Sequence, residues 1–233
     1  QWGRRADSDR QRREFVANIS HDLRTPLTSL LGYLETLSLK ADRLTMEENK
    51  QYLNIALRQG NKVRHLSQQL FELARLEHGG IKPQPETFVL AELVQDVAQK
   101  FDLPVATRNI GLQLELAAGL PPVTADLSMI ERVLTNLLDN AIRHTPEGGV
   151  IRLAARRAGP EIIVEVADSG PGIAGELRAT LFERPSVLEP GAQSASRGGL
   201  GLMIVRRMLQ LHGGDIRLLE APAGACFQFT LPV

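Results

Sequence analysis

The sequence predicts an α+β protein in two parts, an N-terminal helical hairpin over residues 1–80 and a two-layer α/β sandwich over residues 81–233. Three observations predict it. Through two long stretches before residue 80, apolar residues recur at steps of three and four, the period of an amphipathic helix. The run Gly79-Gly80-Ile81-Lys82-Pro83-Gln84-Pro85 then ends a helix and prevents it from restarting. Beyond that run, strand-like and helix-like segments alternate.

The first helix rests on Phe15, Ile19, Leu23, Leu27, Leu30, Leu34 and Leu37. After a polar turn around residues 41–49, the second rests on Leu53, Ala56, Gly60, Val63, Leu66, Leu70, Leu73 and Leu76. A single hairpin buries a single seam and makes a poor core, so it is expected to pair with a second copy as a four-helix bundle. Packing on the rest of its own chain is the alternative. In the second part, residues 87–90 are β-prone, 91–101 helical and 111–116 alternate like a strand. Residues 127–144 form a strong helix, with Asp126 or Ser128 near its start and Pro146 past its end. Residues 150–156 and 161–167 read as a hairpin over Ala158-Gly159-Pro160. A helix over 201–212 closes at Gly213-Gly214, and 215–220 with 226–231 form a last hairpin. These elements suggest one sheet covered on one face by helices. Residues 174–198, rich in Gly, Ala, Ser and Pro and without a period, read as a lid over a site.

Composition narrows the function. The chain has 233 residues, is 43% hydrophobic and balances 27 basic against 27 acidic side chains. A core is within reach, and the balance argues against a nucleic-acid binder working through bulk positive charge, though not against a local basic patch. The single Cys226 excludes an internal disulfide framework and a multi-Cys zinc site, and reads as a small core residue. No apolar run approaches the roughly 20 residues that span a bilayer. The chain opens at Gln1, which reads as a piece of something longer, with any membrane anchor upstream.

Two constellations carry chemistry. In Ser20-His21-Asp22-Leu23-Arg24-Thr25-Pro26-Leu27, His21 points away from the apolar seam. Thr25 shares its face one turn on, and Pro26 removes a helical hydrogen bond and predicts a kink. An exposed neutral imidazole is a nucleophile near neutral pH, and an adjacent carboxylate can orient it and take a proton. The second constellation has three pieces. Asn136, Asn140 and His144 form a polar stripe on one helix, where amide oxygens can hold Mg²⁺ together with phosphate oxygens, and Arg143 can add phosphate contacts. In Asp168-Ser169-Gly170-Pro171-Gly172-Ile173, Asp168 can accept from an exocyclic amine while Gly170 and Gly172 let backbone approach a planar base. In Arg197-Gly198-Gly199-Leu200-Gly201-Leu202, glycines lead into a helix N-terminus, an anion cradle.

The run from Phe15 to Leu27 resembles the H-box of the sensor histidine kinases of two-component systems. The later segments resemble that family's N-, G1- and G2-boxes in the right order, and Leu181-Phe182-Glu183-Arg184 its F-box. The resemblance runs from about Arg13 to Val233 and implies a dimeric helical bundle followed by a Bergerat-type ATP-binding sandwich. It implies that His21 takes the γ-phosphoryl group of ATP, that Asp22 assists proton transfer and that Thr25 positions water to dephosphorylate the partner response regulator. It also implies that Asn136 and Asn140 serve Mg²⁺ and the phosphates. Asp168 reads adenine between Gly170 and Gly172, and Gly199 and Gly201 support lid and phosphates. Arg143, His144, Ile173, Arg184, Leu200 and Leu202 complete the candidate nucleotide site. The implied partners are a second copy of the chain and a response regulator receiver domain, not nucleic acid. The implied place is the cytoplasmic side of the bacterial inner membrane. Two departures fall in the lid, Arg197 where the family's first G2 glycine stands and Pro185 where an aromatic follows the F-box Arg. A kinase-impaired regulator phosphatase or scaffold, and an ATPase or serine kinase on the same sandwich, are the alternative readings.

Overall fold

A computed structural model of the chain describes residues 2–40, 42–178, 180–182 and 199–233. It divides into two compact units, Gln1–Glu72 and Leu73–Val233.

The first unit holds α1 (Trp2–Leu39) and most of α2 (Met46–Glu77). Helix α1 continues through Pro26, whose ring is buried. Ile19 and Ala56 are buried, Leu30 Cδ2 lies 3.9 Å from where a Cβ on Gly60 would stand, and Tyr33 meets Tyr52 edge-on at 5.4 Å between ring centroids. The seam differs from the sequence reading in one respect. Leu27, Leu34 and Leu53, expected inside it, are exposed together with Val16, Leu31 and Leu57, while Pro26 and Tyr33 take the inner positions on α1. The apolar residues form two stripes, and a two-helix hairpin has room to bury only one of them. The start of α2 is a capping box: Thr45 N–H and Oγ1 donate to Glu48 Oε2 at 2.8 and 2.9 Å, and Glu48 N–H donates to Thr45 Oγ1 at 3.2 Å.

Helix α2 ends where the glycines predict. Gly79 takes φ +68°, and Gly80 N–H reaches back to Arg75 O at 2.9 Å in a Schellman closure. Packing divides the chain earlier, inside α2. Leu73 and Leu76 are buried in the second unit rather than in the hairpin, and Arg207 Nε donates to Leu76 O at 3.5 Å.

The second unit runs β1 (Glu86–Phe88), α3 (Leu90–Lys100), α4 (Asp102–Thr107), β2 (Gly111–Leu116), β3 (Val123–Ala125), α5 (Leu127–His144), β4 (Val150–Ala158), β5 (Glu161–Asp168), α6 (Gly175–Arg178), α7 (Gly199–Leu211), β6 (Ile216–Leu219) and β7 (Cys226–Pro232). Five strands form a mixed sheet in the order β2-β4-β5-β7-β6, with β2 parallel to β4 and the other pairs antiparallel. The β4–β5 hairpin turns at Gly159-Pro160 as expected. The sequence reading missed α4 and β3. Helix α4 contains Pro104 and β3 has only three residues, so neither shows a period, and β3 exists by pairing with β1 as a separate ribbon.

Alternation decides the sheet's two faces. Ile151, Leu153, Ile162, Val164, Val166, Phe227 and Phe229 are fully buried on the side of the apolar faces of α3, α5 and α7. The opposite face carries a polar ladder across all five strands. Arg152 pairs with Glu115 at 3.2 Å and Glu165 at 3.4 Å, Gln228 donates to Glu165 at 2.7 Å, and Arg217 donates to Gln228 Oε1. Two layers suffice where charged and amide side chains take the middle of the outer face and the apolar residues beside them, such as Val150 and Ile163, are few. Cys226 is buried as expected, and burial, reinforced by Glu165, raises its thiol pKa, so it rests as an inert thiol.

At the far end of the helical layer, Asp126 caps α5 through Met129 N–H at 3.0 Å and takes Gln84 N–H at 2.8 Å on its other oxygen. Its own N–H donates to His212 Nε2 at 3.0 Å, while His212 Nδ1 meets Met208 O at 2.7 Å. These partners require the Nδ1–H tautomer. The C-terminus of α7 is thereby tied to the N-terminus of α5.

The capping box has a pH signature. Hydrogen bonds from the Thr45 N–H and hydroxyl hold the Glu48 carboxyl below its usual range. Its support for α2 is complete above the ordinary Glu pKa and is lost as pH falls through the depressed value. The protection factors of the Glu48 and Asn49 amides, taken against the intrinsic exchange rate at each pH, should fall on acidification, and Thr45→Ala should show low protection at every pH.

Candidate functional site

The histidine lies on the first unit. His21 is 66% exposed, and Asp22 Oδ1 stands 3.6 Å from its Nδ1. The carboxylate therefore addresses Nδ1 and leaves Nε2 as the nitrogen facing outward. Thr25 Oγ1 donates to His21 O at 3.2 Å, so the hydroxyl sits on the same exposed face one turn on. Pro26 has no N–H for Asp22 O, so the helix is short of one hydrogen bond directly beneath this group.

In the second unit the candidates converge where α5 ends, β5 ends and α7 begins. Along β5, Ile162, Val164, Val166 and Asp168 share the inner face, so the alternation puts a carboxylate where an apolar side chain would continue the stripe. Asp168 is 7% exposed. Its Oδ1 accepts from Gly170 N–H at 2.9 Å and Ala225 N–H at 3.3 Å, which fixes the carboxylate through one oxygen. Around it the walls are backbone. A Cβ on Gly170 would stand 2.6 Å from His144 O. A Cβ on Gly224 would stand 1.7 Å from Asp168 O, and Gly224 takes φ +73°. Gly172, at φ +76°, abuts Gly224 O, and the Ile173 carbonyl accepts from Arg178 Nε at 3.1 Å. A planar group entering here would meet flat peptide rather than side chains.

The stripe on α5 is as predicted. Val133, Leu137 and Ile142 are buried, while Asn136, Asn140 and His144 line the partly open side and Arg143 is exposed. The Asn136 amide nitrogen is buried with no hydrogen-bond partner, and rotation of the amide presents its oxygen at the same place. A buried amide left unmatched fits a ligand that completes it. Among the described residues no three His, Cys, Asp or Glu side chains gather as a metal cluster. The amide oxygens of Asn136 and Asn140 are hard donors of the kind that complete the shell of a magnesium ion carried by phosphate oxygens. Burial lowers the pKa of His144, Arg143 lowers it further and Asp168 opposes, so the ring is neutral at pH 7.

At the start of α7, Leu200 and Leu202 are buried, so any contact they make with a nucleotide falls to their backbone, beside Gly199 and Gly201. Leu181 is buried and Phe182 meets Phe227 edge-on at 6.1 Å, which anchors this short turn to the sheet. Arg184, Pro185 and Arg197 lie outside the described residues. Gly224 is the site residue that sequence reading missed. Its signal was a lone glycine before a strand, which any hairpin turn would also give.

Two predictions follow the geometry. Gly224→Ala should abolish nucleotide binding and destabilise the second unit, checked by titration with a nucleotide analogue and thermal unfolding. For His144, the folded pKa below the unfolded one means that the unfolded state binds more protons on acidification. The second unit should lose stability as pH falls through about 6.5, and His144→Gln should flatten that slope in denaturant unfolding at stepped pH.

Comparison with known proteins finds relatives for both units. Residues 11–79 match the "His Kinase A (phospho-acceptor) domain" and residues 125–233 match the "Histidine kinase-, DNA gyrase B-, and HSP90-like ATPase". The alginate biosynthesis sensor protein KinB of Pseudomonas aeruginosa is 34% identical over 226 residues, covering 97% of this chain and 38% of that protein. The catalytic domain of histidine kinase ThkA is 32% identical over 64% of this chain and 95% of its own, with a TM-score of 0.57. The ThkA complex with response regulator protein TrrA matches 98% of this chain and 66% of its own at 29% identity, with a TM-score of 0.78. The chain thus spans well under half the length of the curated KinB relative.

Proposed function

Because the chain belongs to the histidine kinases of two-component systems, we propose that it transfers the γ-phosphoryl group of ATP to His21 and from there to an aspartate of a response regulator. The observation that carries this reading is the pairing of an outward imidazole, backed by a carboxylate, with a buried carboxylate in a backbone-walled slot.

ATP is the phosphoryl donor. Asp168 Oδ2 accepts from the adenine amine, Gly170 and Gly172 admit the base, and Asn136 and Asn140 supply amide oxygens for Mg²⁺, which would neutralise the phosphates when bound. The α7 N-terminus offers backbone N–H groups to the phosphates. His21 Nε2 attacks the γ-phosphorus. The N–P bond forms, the bond to the bridging oxygen breaks, ADP leaves, and the Nδ1 proton passes to Asp22. The protein's share is positioning and charge stabilisation rather than covalent chemistry of its own.

The exposed second stripe of the hairpin, Val16, Leu27, Leu31 and Leu34 with Leu53 and Leu57, supports a homodimer, since a second copy would bury it as a four-helix bundle. The response regulator is the partner assigned to the His21 face, and the ThkA complex with TrrA supports that choice. Thr25, beside His21, is assigned to positioning water in dephosphorylation of that regulator.

The test is incubation with γ-labelled ATP. The chain should acquire acid-labile label, and His21→Gln should fold, bind nucleotide and remain unlabelled. Label at the level of the unaltered chain in His21→Gln overturns the assignment, and acid-stable label points instead to a serine kinase. Thr25→Ala should keep autophosphorylation and slow the loss of label from the regulator.

A further inference from the structure

We propose that Arg108 is a positioning residue of the nucleotide site, a clasp on the C-terminal end of α5 that keeps Asn140 and His144 in register with Asp168. The proposal rests on the reading of this cleft as a nucleotide site.

Arg108 follows α4 at the surface, outside every motif. Its guanidinium donates from one nitrogen to Ile142 O and from another to Thr145 O at 3.0 Å. These carbonyls belong to the last turn of α5 and its C-cap, where helical donors run out and the helix dipole is negative. A planar cationic fork is suited to two such acceptors at once. The next residues repeat the grip. Asn109, at φ +51°, is the one non-glycine residue with a positive φ among the described residues, and its carbonyl accepts from Gly148 N–H at 2.9 Å. Gly111 N–H donates to Gly149 O at 2.9 Å.

The clasped segment has no slack against the loop that carries Asp168. Val150 N–H donates to Ser169 Oγ at 2.9 Å, and Ser169 N–H to Val150 O at 3.1 Å. A Cβ on Gly149 would stand 2.7 Å from Ser169 Oγ, and one on Gly170 2.6 Å from His144 O. Gly170 N–H in turn holds Asp168 Oδ1. A shift of the α5 end is therefore passed through His144 O and Gly170 to the carboxylate, while the core beneath α5 stays packed.

Arg108→Ala and Arg108→Lys in the full chain test this. In Arg108→Ala the KM for Mg·ATP in autophosphorylation should rise about tenfold with little change in kcat. Arg108→Lys should recover only part, since an ammonium lacks the fork. Amide exchange should accelerate at Thr145 and Gly148 and stay unchanged at Val164 in the sheet. An unchanged KM in Arg108→Ala overturns the proposal, and so does exchange that accelerates equally at Val164, which would make Arg108 a general stabiliser. If the unaltered chain fails to bind Mg·ATP, the nucleotide reading itself falls, whereas the exchange pattern still reports whether the clasp exists.

Discussion

A buried carboxylate held by backbone is the constraint on which the second unit depends. Asp168 spends Oδ1 on two peptide N–H groups, and its neighbours Gly170 and Gly224 approach so closely that neither tolerates a Cβ. Burying a charged group without partners is costly, and here the partners come from two segments distant in sequence. Strand β5, the turn after it and the start of β7 must therefore arrive together, with the end of α5 closing the third side. The same contacts that satisfy Asp168 in the fold leave its second oxygen free of those two N–H groups and fix the plane of the carboxylate.

The rest of the sandwich keeps that arrangement rigid. The helical layer lies on one face of the sheet, and the opposite face closes itself with the ladder from Glu115 through Arg152, Glu165 and Gln228 to Arg217. On an exposed face such pairs add little individual stability, but they replace apolar side chains that would otherwise call for a third layer. At the other end of the layer, the Asp126–His212 contact ties together the ends of α5 and α7 remote from the site and takes the linker's Gln84 as well. Helices α5 and α7 are thus fixed both by their apolar faces and at their far ends.

The helical unit follows a different logic. It carries more apolar surface than one hairpin can bury, and it sets the His21 imidazole on an exposed face with a proline a little over one turn beyond. Its surplus stripe is turned outward, whereas the sandwich turns its apolar side chains inward and leaves the Asn136 amide unmatched.

Residue identities along the chain determined much of this. The period of three and four, the Gly-Gly closure of α2, the boundaries of β2 and α5 and the turn at Gly159-Pro160 were legible because they depend on local geometry. So were His21 with Asp22, the asparagine stripe and Asp168, since each breaks a local pattern: a polar group at a crowded proline turn, weak helix formers repeated in mid-helix, an acid continuing an apolar stripe. Tertiary structure alone decided which apolar stripe of the hairpin faces inward, that Leu73 and Leu76 pack with the sandwich, that β3 is a strand, that Gly224 abuts Asp168 and that Arg108 grips the end of α5. The reason is that these depend on close approach between segments far apart in the chain, and a lone glycine, a surface arginine or a three-residue strand has no period by which sequence could announce its partner.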